Sequence, residues 1–143
     1  MHRQAAGLTI LCCVLAAGTA RAQQCLHGPS ESAEQAARRN EALTATRMIN
    51  NLQANQPGRT KQSYLRHEEL MTSPFYLEMQ RSTNAVVKRI SLLPGTDILP
   101  NWTLTLDMSQ TGYWFMIRDK MDPCGFAYIS NQNGLIFSAE PIR

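Results

Sequence analysis

The chain has 143 residues, which is enough for one domain, or for one domain and a targeting segment, but too few for two domains of ordinary size. Charged residues make up 17% of it and hydrophobic residues 43%, a balance that excludes a disordered tail, a collagen-like repeat and a highly charged coiled coil. Lysine and arginine exceed aspartate and glutamate by only 14 to 11, so the net charge of +3 does not indicate the clustered basic surface of a nucleic-acid-binding protein.

The first 22 residues have the layout of a secretory signal peptide. His2 and Arg3 give a short positive start, an apolar run from Leu8 to Gly18 follows, and Ala20-Arg21-Ala22 has the small residues of an A-x-A cleavage site. The apolar run is shorter than the roughly 20 residues that a permanent membrane anchor requires. We therefore expect a cleaved signal peptide at residues 1–22 and a single mature domain at residues 23–143.

Export and cleavage have consequences for charge and for partners. Cleavage removes two arginines and no acidic residue, so the net charge falls from +3 to +1. A nearly neutral chain lacks the surplus of basic residues on which affinity for phosphates depends. We expect a secreted or periplasmic protein with no nucleic-acid partner and no permanent membrane span.

Cys25 and Cys124 are the two cysteines of the expected mature chain. An even pair in an exported domain predicts one disulfide, which would join the mature N-terminus to a turn near the C-terminus. For a loop of about 100 residues the chain-entropy description gives roughly 4–5 kcal/mol of stabilisation. The alternative is a metal site formed by these cysteines with His27 and His67, although Cys25-x-His27 is not a usual zinc spacing.

A long amphipathic helix is predicted from about residue 31 to residue 55. Ser32 and Gln35 have the spacing of a capping box, and no glycine or proline follows until Pro57-Gly58. Seven apolar residues recur at helical spacing in this segment: Ala33, Ala36, Ala37, Leu43, Met48, Ile49 and Leu52. The variable segment 59–81 follows, with a short helix predicted at Tyr64–Met71 and a stretch that fits helix or strand at Phe75–Met79.

From about residue 86 to residue 140 the pattern is typical of β-strands. Val86–Leu93 is predicted as a first strand, ended by Pro94-Gly95. Alternating apolar and polar residues predict further strands, separated by turn residues, at Trp102–Ser109, Tyr113–Lys120, Phe126–Ser130 and Leu135–Ala139. An amphipathic helix and a half-buried sheet each need a partner. The predicted fold class is therefore α+β, with the long N-terminal helix packed on a four- to five-stranded antiparallel meander.

Two stretches resemble a known family. Leu43–Gln53, which contains Arg47-Met-Ile-Asn, is followed by Tyr64 and then by Glu68-Glu-Leu; the tail Gly125–Ile136 contains a short polar turn that ends at Gly134. These stretches, about half of the mature chain, are similar to the helix end, first loop and closing hairpin of type IV pilins and pseudopilins. The resemblance implies a helix-on-sheet domain that acts by protein–protein contact in the cell envelope or in a secretion or pilus-type assembly.

The chain departs from that family at its N-terminus. Prepilins carry a glutamate at the fifth mature position, at the head of a long apolar helix, whereas this chain begins with an ordinary signal and its helix is polar. The resemblance therefore implies a soluble, exported relative of the globular domain rather than a filament subunit. Major pseudopilins have a calcium loop near the C-terminus, for which Asp119, Asp122 and Asn131 are the candidate oxygen ligands here.

Motifs of catalysis are absent from the sequence. It has no G-x-S-x-G nucleophile elbow, phosphate-binding glycine loop or dinucleotide fingerprint, so we expect no enzyme activity and no cofactor. A small hydrolase is a third interpretation, which requires Asp107, Asp119 or Glu68 to meet His67 in one cleft. Asn101-Trp-Thr matches the glycosylation sequon, which has meaning only in a source that glycosylates secreted proteins.

A candidate interaction surface lies on one face of the predicted sheet. Trp114, Met116 and Ile129 fall on the face opposite Tyr113. They are partly exposed, and mark a surface for a protein partner, if the helix covers the Tyr113 face; they are core residues if segment 59–81 folds over them. The leading hypothesis is a non-catalytic, pilin-like interaction domain. The alternative is a periplasmic or extracellular ligand-binding or sensor-type module, because a curved sheet under a helix can also cradle a small molecule.

Overall fold

The structure is a computed structural model that describes residues 24–55, 64–109 and 112–140. The predicted signal peptide lies outside the described residues. The described elements, in chain order, are the helices α1 (Ala33–Ala54), α2 (His67–Thr72), α3 (Pro74–Met79) and α4 (Ala85–Arg89), then the strands β1 (Trp102–Met108), β2 (Tyr113–Asp119), β3 (Ala127–Asn131) and β4 (Ile136–Ala139). One long helix and a four-stranded antiparallel sheet confirm the predicted α+β class.

The predicted long helix is α1, and it begins at the predicted capping box. The Gln35 N–H donates to the Ser32 hydroxyl at 3.2 Å, and the Ser32 N–H donates to the Gln35 side-chain oxygen at 2.8 Å, so two N–H groups at the start of the helix are satisfied. Ala33 and Ala37 are exposed, and the buried face occupies the second half of the helix. Its members are Ala42, Ala45, Thr46, Met48, Ile49, Leu52 and Gln53.

The sheet is a meander in which sequence neighbours are also spatial neighbours, in the order β1-β2-β3-β4. The period of two predicted for β2 is observed, since Tyr113, Phe115 and Ile117 are buried while Trp114 and Arg118 are exposed. The three buried residues belong to one hydrophobic cluster with the apolar residues of α1. We call this side of the sheet the inner face and the opposite side the outer face.

Polar side chains connect the C-terminal half of α1 to its neighbours. The Asn50 amide donates to the Ser130 hydroxyl at 2.9 Å and accepts from the Tyr113 hydroxyl at 3.1 Å. The buried Gln53 side chain bonds both backbone groups of Leu65, at 2.7 and 2.9 Å. These contacts hold α1 to β2, β3 and the segment that leads into α2, and they satisfy amides that would otherwise be buried at a cost.

Variable segment 59–81 is described from residue 64 onwards, and most of that part forms two short helices, α2 and α3. The predicted short helix is confirmed as α2, and the stretch that fitted helix or strand forms α3. Ser73 caps the start of helix α3, since its hydroxyl accepts the Tyr76 N–H at 3.2 Å. Pro74 occupies the first helical position, where its missing N–H costs nothing.

The predicted strand at Val86–Leu93 is wrong, because residues Ala85–Arg89 form helix α4. The Asn84 side chain accepts the N–H groups of Val86 and Val87 at 2.9 and 3.3 Å, which caps the first turn. Lys88 and Arg89 lie in the last turn, where cations suit the helix dipole, and Arg89 pairs with Glu41 of α1. Capping therefore outweighs the strand preference of the two valines, and within the described residues the sheet has four strands rather than five.

The predicted disulfide is present. Cys25 and Cys124 are bonded, with Cα atoms 5.2 Å apart across a sequence separation of 99. The bond joins the segment before α1 to the turn between β2 and β3. It closes most of the described chain into one covalent loop.

We predict that replacing both cysteines, Cys25→Ser with Cys124→Ser, lowers the free energy of unfolding by about 3–5 kcal/mol, because the long loop no longer restricts the unfolded chain. Urea unfolding of residues 23–143 measures this effect, and a reductant should lower the midpoint of the wild type to that of the variant. The variant itself should not respond to the reductant. Equal midpoints for the oxidised wild type and the variant would contradict the prediction.

Candidate functional site

A buried histidine lies between two carboxylates near the start of α1. The His27 side chain is about 1% exposed, with Nδ1 2.6 Å from a Glu31 carboxylate oxygen and Nε2 2.9 Å from an Asp119 carboxylate oxygen. Its ring packs against Phe126 with ring centroids 4.6 Å apart. Both ring nitrogens are thus occupied by protein groups, and neither faces solvent or a cavity.

Two arginines of α1 complete this arrangement, which we call the N-terminal polar cluster: His27, Glu31, Arg38, Arg39 and Asp119. Arg39 donates from Nε and Nη2 to the Glu31 carboxylate at 2.9 and 2.8 Å, and Arg38 donates to Asp119 at 3.2 Å. The Arg39 hydrogen bonds hold the pKa of Glu31 below its ordinary value against the opposing effect of burial, and the His27 contact lowers it further. Contact with Glu31 in turn raises the pKa of Arg39.

The Asp122 carboxylate organises the turn that carries Cys124. One oxygen accepts the N–H groups of Leu26 and Cys124 at 3.0 and 3.1 Å, and the other accepts the N–H of Phe126 at 3.1 Å. The carboxylate therefore satisfies backbone donors from both segments that the disulfide joins. Its role here is structural.

The alternative metal site at Cys25, His27, His67 and Cys124 is wrong for a direct chemical reason. Cys25 and Cys124 lie beside Asp122 in a group of potential ligand atoms, all within 4.8 Å of one another, but their sulfurs are bonded to each other and are not thiolates. The nitrogens of His27 are held by carboxylates. His67 lies in α2, and its Nε2 has no hydrogen-bond partner among the described residues.

The three calcium candidates do not form one site. Asp119 pairs with Trp102 at one end of β2, whereas Asn131 pairs with Trp114 near the other end, five residues away, or about 16 Å along a strand. The Asp119 and Asp122 carboxylates already accept hydrogen bonds from protein groups. The strand register thus places Asp119 and Asn131 too far apart to bind the same calcium ion, although they are close in sequence.

The carboxylates proposed for a hydrolase are also separated. Asp107 lies on the outer face and accepts the indole N–H of Trp114 at 3.1 Å. Asp119 is buried on the inner face with His27, and Glu68 is exposed on α2. Asp107 and Asp119 thus lie on opposite faces of the sheet, and each already accepts a hydrogen bond from another side chain.

The outer face carries a strip of apolar side chains, which we call the outer apolar strip: Trp114, Met116, Ile129 and Phe137. Met116 pairs with Ile129, and Ile129 pairs with Phe137, so three of them form a row across the strands, with Trp114 in the adjacent row. Trp114 is 41% exposed and Phe137 53% exposed, and none of the four belongs to the hydrophobic cluster of the core. Exposed apolar side chains that are contiguous rather than scattered are typical of interaction sites.

Segment 64–81 does not cover the outer apolar strip. Its partly buried side chains, Met71, Phe75, Tyr76 and Met79, pack against the core cluster on the other side of the sheet. The sequence pattern predicted Trp114, Met116 and Ile129 on this face but did not indicate Phe137. Phe137 is assigned to this face by its pairing with Ile129, which the sequence does not reveal. Alternation within one short strand does not say which face of the sheet a residue lies on.

Charged residues flank the outer apolar strip at opposite ends. Asp107 lies beside Trp114 at one end, and Arg118 lies at the other end of β2. Arg118 is exposed and has no ion-pair partner among the described residues. A Cβ on Gly125 would lie 3.3 Å from its guanidinium, so a glycine at this positive-φ turn (φ 74°) leaves room for the side chain at the edge of the face.

Two surface cavities of the described residues are poorly suited to hold a small-molecule ligand. A cleft of about 280 Å³ is lined by uncharged residues that include Asn50, Tyr64, Tyr113, Gln132 and Asn133. Its volume lies below the roughly 300–1,000 Å³ of ligand pockets in general. A wider hollow of about 870 Å³ is lined by side chains between Pro74 and Ser82, and within the described residues no second element closes it.

Comparisons with known proteins do not assign a family. No family model, curated protein or solved structure matches the chain. Among the described helices, none has both the length and the apolar character to cross a membrane.

We predict that Glu31→Gln destabilises the protein at neutral pH, by about 1–3 kcal/mol, because His27 and Arg39 lose a charged acceptor. Folding lowers the pKa of Glu31. The contribution of the Glu31 carboxylate to folding stability is therefore complete above the ordinary carboxyl pKa and is lost as the pH falls through the lower pKa of the folded state. The stability difference between wild type and variant should therefore shrink on acidification, as measured by urea unfolding between pH 7 and pH 3. Glu34→Gln, an exposed change in the first turn of α1, is the matched control; an equal effect there, or a difference that grows in acid, would contradict the prediction.

We predict opposite energetic roles for the two tryptophans. Trp102 is 1% exposed in the core and Trp114 lies on the outer face, so Trp102→Ala should cost about 3–5 kcal/mol of folding free energy, and Trp114→Ala less than about 1 kcal/mol. Chemical unfolding, followed by far-ultraviolet circular dichroism, measures both changes. Comparable losses for the two variants would show that Trp114 supports the fold rather than an interaction surface.

Proposed function

We propose that the protein is a non-catalytic, exported interaction domain that binds a protein partner through its outer apolar strip, in a cell-envelope or secretion assembly. The single observation that carries the proposal is a contiguous apolar strip on one face of the sheet, in which Trp114 and Phe137 are exposed and Met116 and Ile129 are half-buried. Aromatic residues and methionine are enriched in the centres of protein–protein interfaces. A binding role for this face accounts for apolar surface that does nothing for the core.

The proposal includes a pilin-like arrangement in which α1 covers the inner face of the meander. The burial of the C-terminal half of α1 and the hydrogen bonds of Asn50 to Ser130 and Tyr113 support it. The similarity of Leu43–Gln53 and of the closing hairpin to type IV pilins and pseudopilins supports it at the level of sequence. With α1 on the inner side, the outer face is the side of the sheet that is open to a partner.

The proposal places the protein outside the cytoplasm. A disulfide that joins two sequence-distant segments persists in oxidising compartments and is rare where thiols are kept reduced. The layout of residues 1–22 as a signal peptide supports the same location. A secreted or periplasmic domain of this kind meets its partners in the envelope or beyond it.

A binding role fits the chemistry of the polar side chains better than a catalytic role. His27, Glu31 and Asp119 are the best-placed candidates for acid–base chemistry, but they are buried and bound to one another. A general base must reach the proton that it abstracts in a bound substrate. The N-terminal polar cluster therefore serves to position the chain.

We predict that a photoreactive amino acid placed at position 114 or 137 forms covalent adducts with one defined protein when the full chain is produced in its native cells. The same group at Arg47, which is exposed on α1, is the control and should give no such adduct. Adducts are detected by electrophoresis and identified by mass spectrometry, and Met116→Glu should abolish those formed at position 114. Equal adducts at all three positions, or none at positions 114 and 137, would refute the proposed function.

A further inference from the structure

We infer that the partner of the outer face is a second copy of this chain, packed sheet to sheet about a two-fold axis that runs across the strands through Met116 and Ile129. The inference rests on the proposed function and narrows it by naming the partner. A two-fold interface uses the same patch on both copies, so the patch must complement itself. The pattern of charge on the outer face meets that requirement for one orientation.

The register arranges the outer side chains in three rows across the sheet. The first row is Asp107, Trp114 and Asn131; the middle row is Thr105, Met116, Ile129 and Phe137; and the third row is Thr103, Arg118, Ala127 and Ala139. A negative charge beside an indole thus occupies one end of the face and a positive charge occupies the other. The middle row contains only one polar side chain, that of Thr105.

An axis along the middle row brings the first row of one copy opposite the third row of the other. Arg118 of the second copy then faces Trp114, where a guanidinium over the indole ring gains a cation–π contact. Asp107 lies on the adjacent strand, about 4.8 Å to the side, within reach of the same guanidinium. Two-fold symmetry produces this set of contacts twice, and Arg118 acquires the partner that it lacks within the described chain.

An axis parallel to the strands gives the opposite result. It keeps both third rows at the same end, so the two copies of Arg118 lie near each other and Asp107 lies far from both. Like charges placed together across an interface oppose association. The charges therefore select the crosswise axis over the parallel one.

The crosswise axis also gives the interface an apolar centre. Met116, Ile129 and Phe137 lie close to the axis and meet their own counterparts, with the charged pairs on either side. This is the usual distribution of an apolar core and a polar rim. Aligned sheets pack about 10 Å apart, a spacing that side chains of this size fill.

The area of the outer face limits the affinity that we expect for the dimer. Four strands about 4.8 Å apart and about 20 Å long give a flat area on the order of 400 Å². A stable interface buries about 800 Å² on each partner, so this dimer should dissociate on dilution, within roughly 1–100 μM. The dimer is thus expected to form where the protein is locally concentrated.

The test is sedimentation velocity of the mature, oxidised protein over that concentration range, with two variants of opposite charge change. Arg118→Glu and Asp107→Arg should each weaken dimerisation of the variant with itself by about tenfold or more. An equimolar mixture of the two variants should dimerise like the wild type, because Arg118 of one meets Asp107 of the other and Glu at 118 meets Arg at 107. Arg47→Glu, the same charge change on the exposed side of α1, should leave the dimer unchanged.

Each contrary result has a defined meaning. A wild type that stays monomeric over the whole range overturns the inference, and so does a dimer that Arg118→Glu does not weaken or a variant mixture that stays monomeric. Circular dichroism of both variants verifies their folding, and the mixture keeps the test valid because it restores charge pairing across the interface without reverting either substitution. If the wild type is monomeric while position 114 still forms adducts with a different protein, the second-copy inference fails and the proposed function stands.

Discussion

The attachment of the chain before α1 to the far end of β2 is the constraint on which the rest of this structure depends. Asp119 ends β2, and Asp122 and Cys124 follow in the next turn; together they hold His27, Leu26 and Cys25. This fixes where α1 begins relative to the sheet. At the other half of the helix, Asn50 bonds Ser130 and Tyr113. Two separate attachments set the direction of a helix, whereas one attachment leaves it free to pivot.

The energetic character of the first attachment differs from that of the core. Ionised side chains lose hydration when they are buried, and their mutual attraction compensates only when the geometry is good. In the N-terminal polar cluster each carboxylate has an arginine and an imidazole nitrogen as partners, so no buried charge is left alone. The cluster therefore contributes mainly to position, while the hydrophobic cluster shared by α1 and the inner face supplies most of the burial.

The placement of polar groups bears directly on function. Carboxylates and histidines are the residue types of catalytic and metal sites, but here they stabilise the fold. Asp119, Asp122 and His27 form hydrogen bonds that join segments distant in sequence. The outer apolar strip lies on the opposite side of the sheet and does not belong to the core cluster. That division is the basis on which we propose an interaction domain, in which one face holds the structure together and the other is available to a partner. Asp107 and Arg118 place opposite charges at the two ends of that strip.

Local physics was enough for much of this fold. The capping box at Ser32, the alternation along β1 and β2, and the pairing of Cys25 with Cys124 each depend on short-range patterns or on composition, and the sequence predicted them. The error at Val86–Leu93 arose where two local signals compete, since the valines favour a strand and Asn84 caps a helix. Only the tertiary structure decided that His27 meets Asp119, 92 residues away, that Asn131 lies far from Asp119, and that Phe137 extends the outer apolar strip. Those relations depend on strand register and on which residues of distant segments come together, and neither is encoded in the periodicity of any single segment.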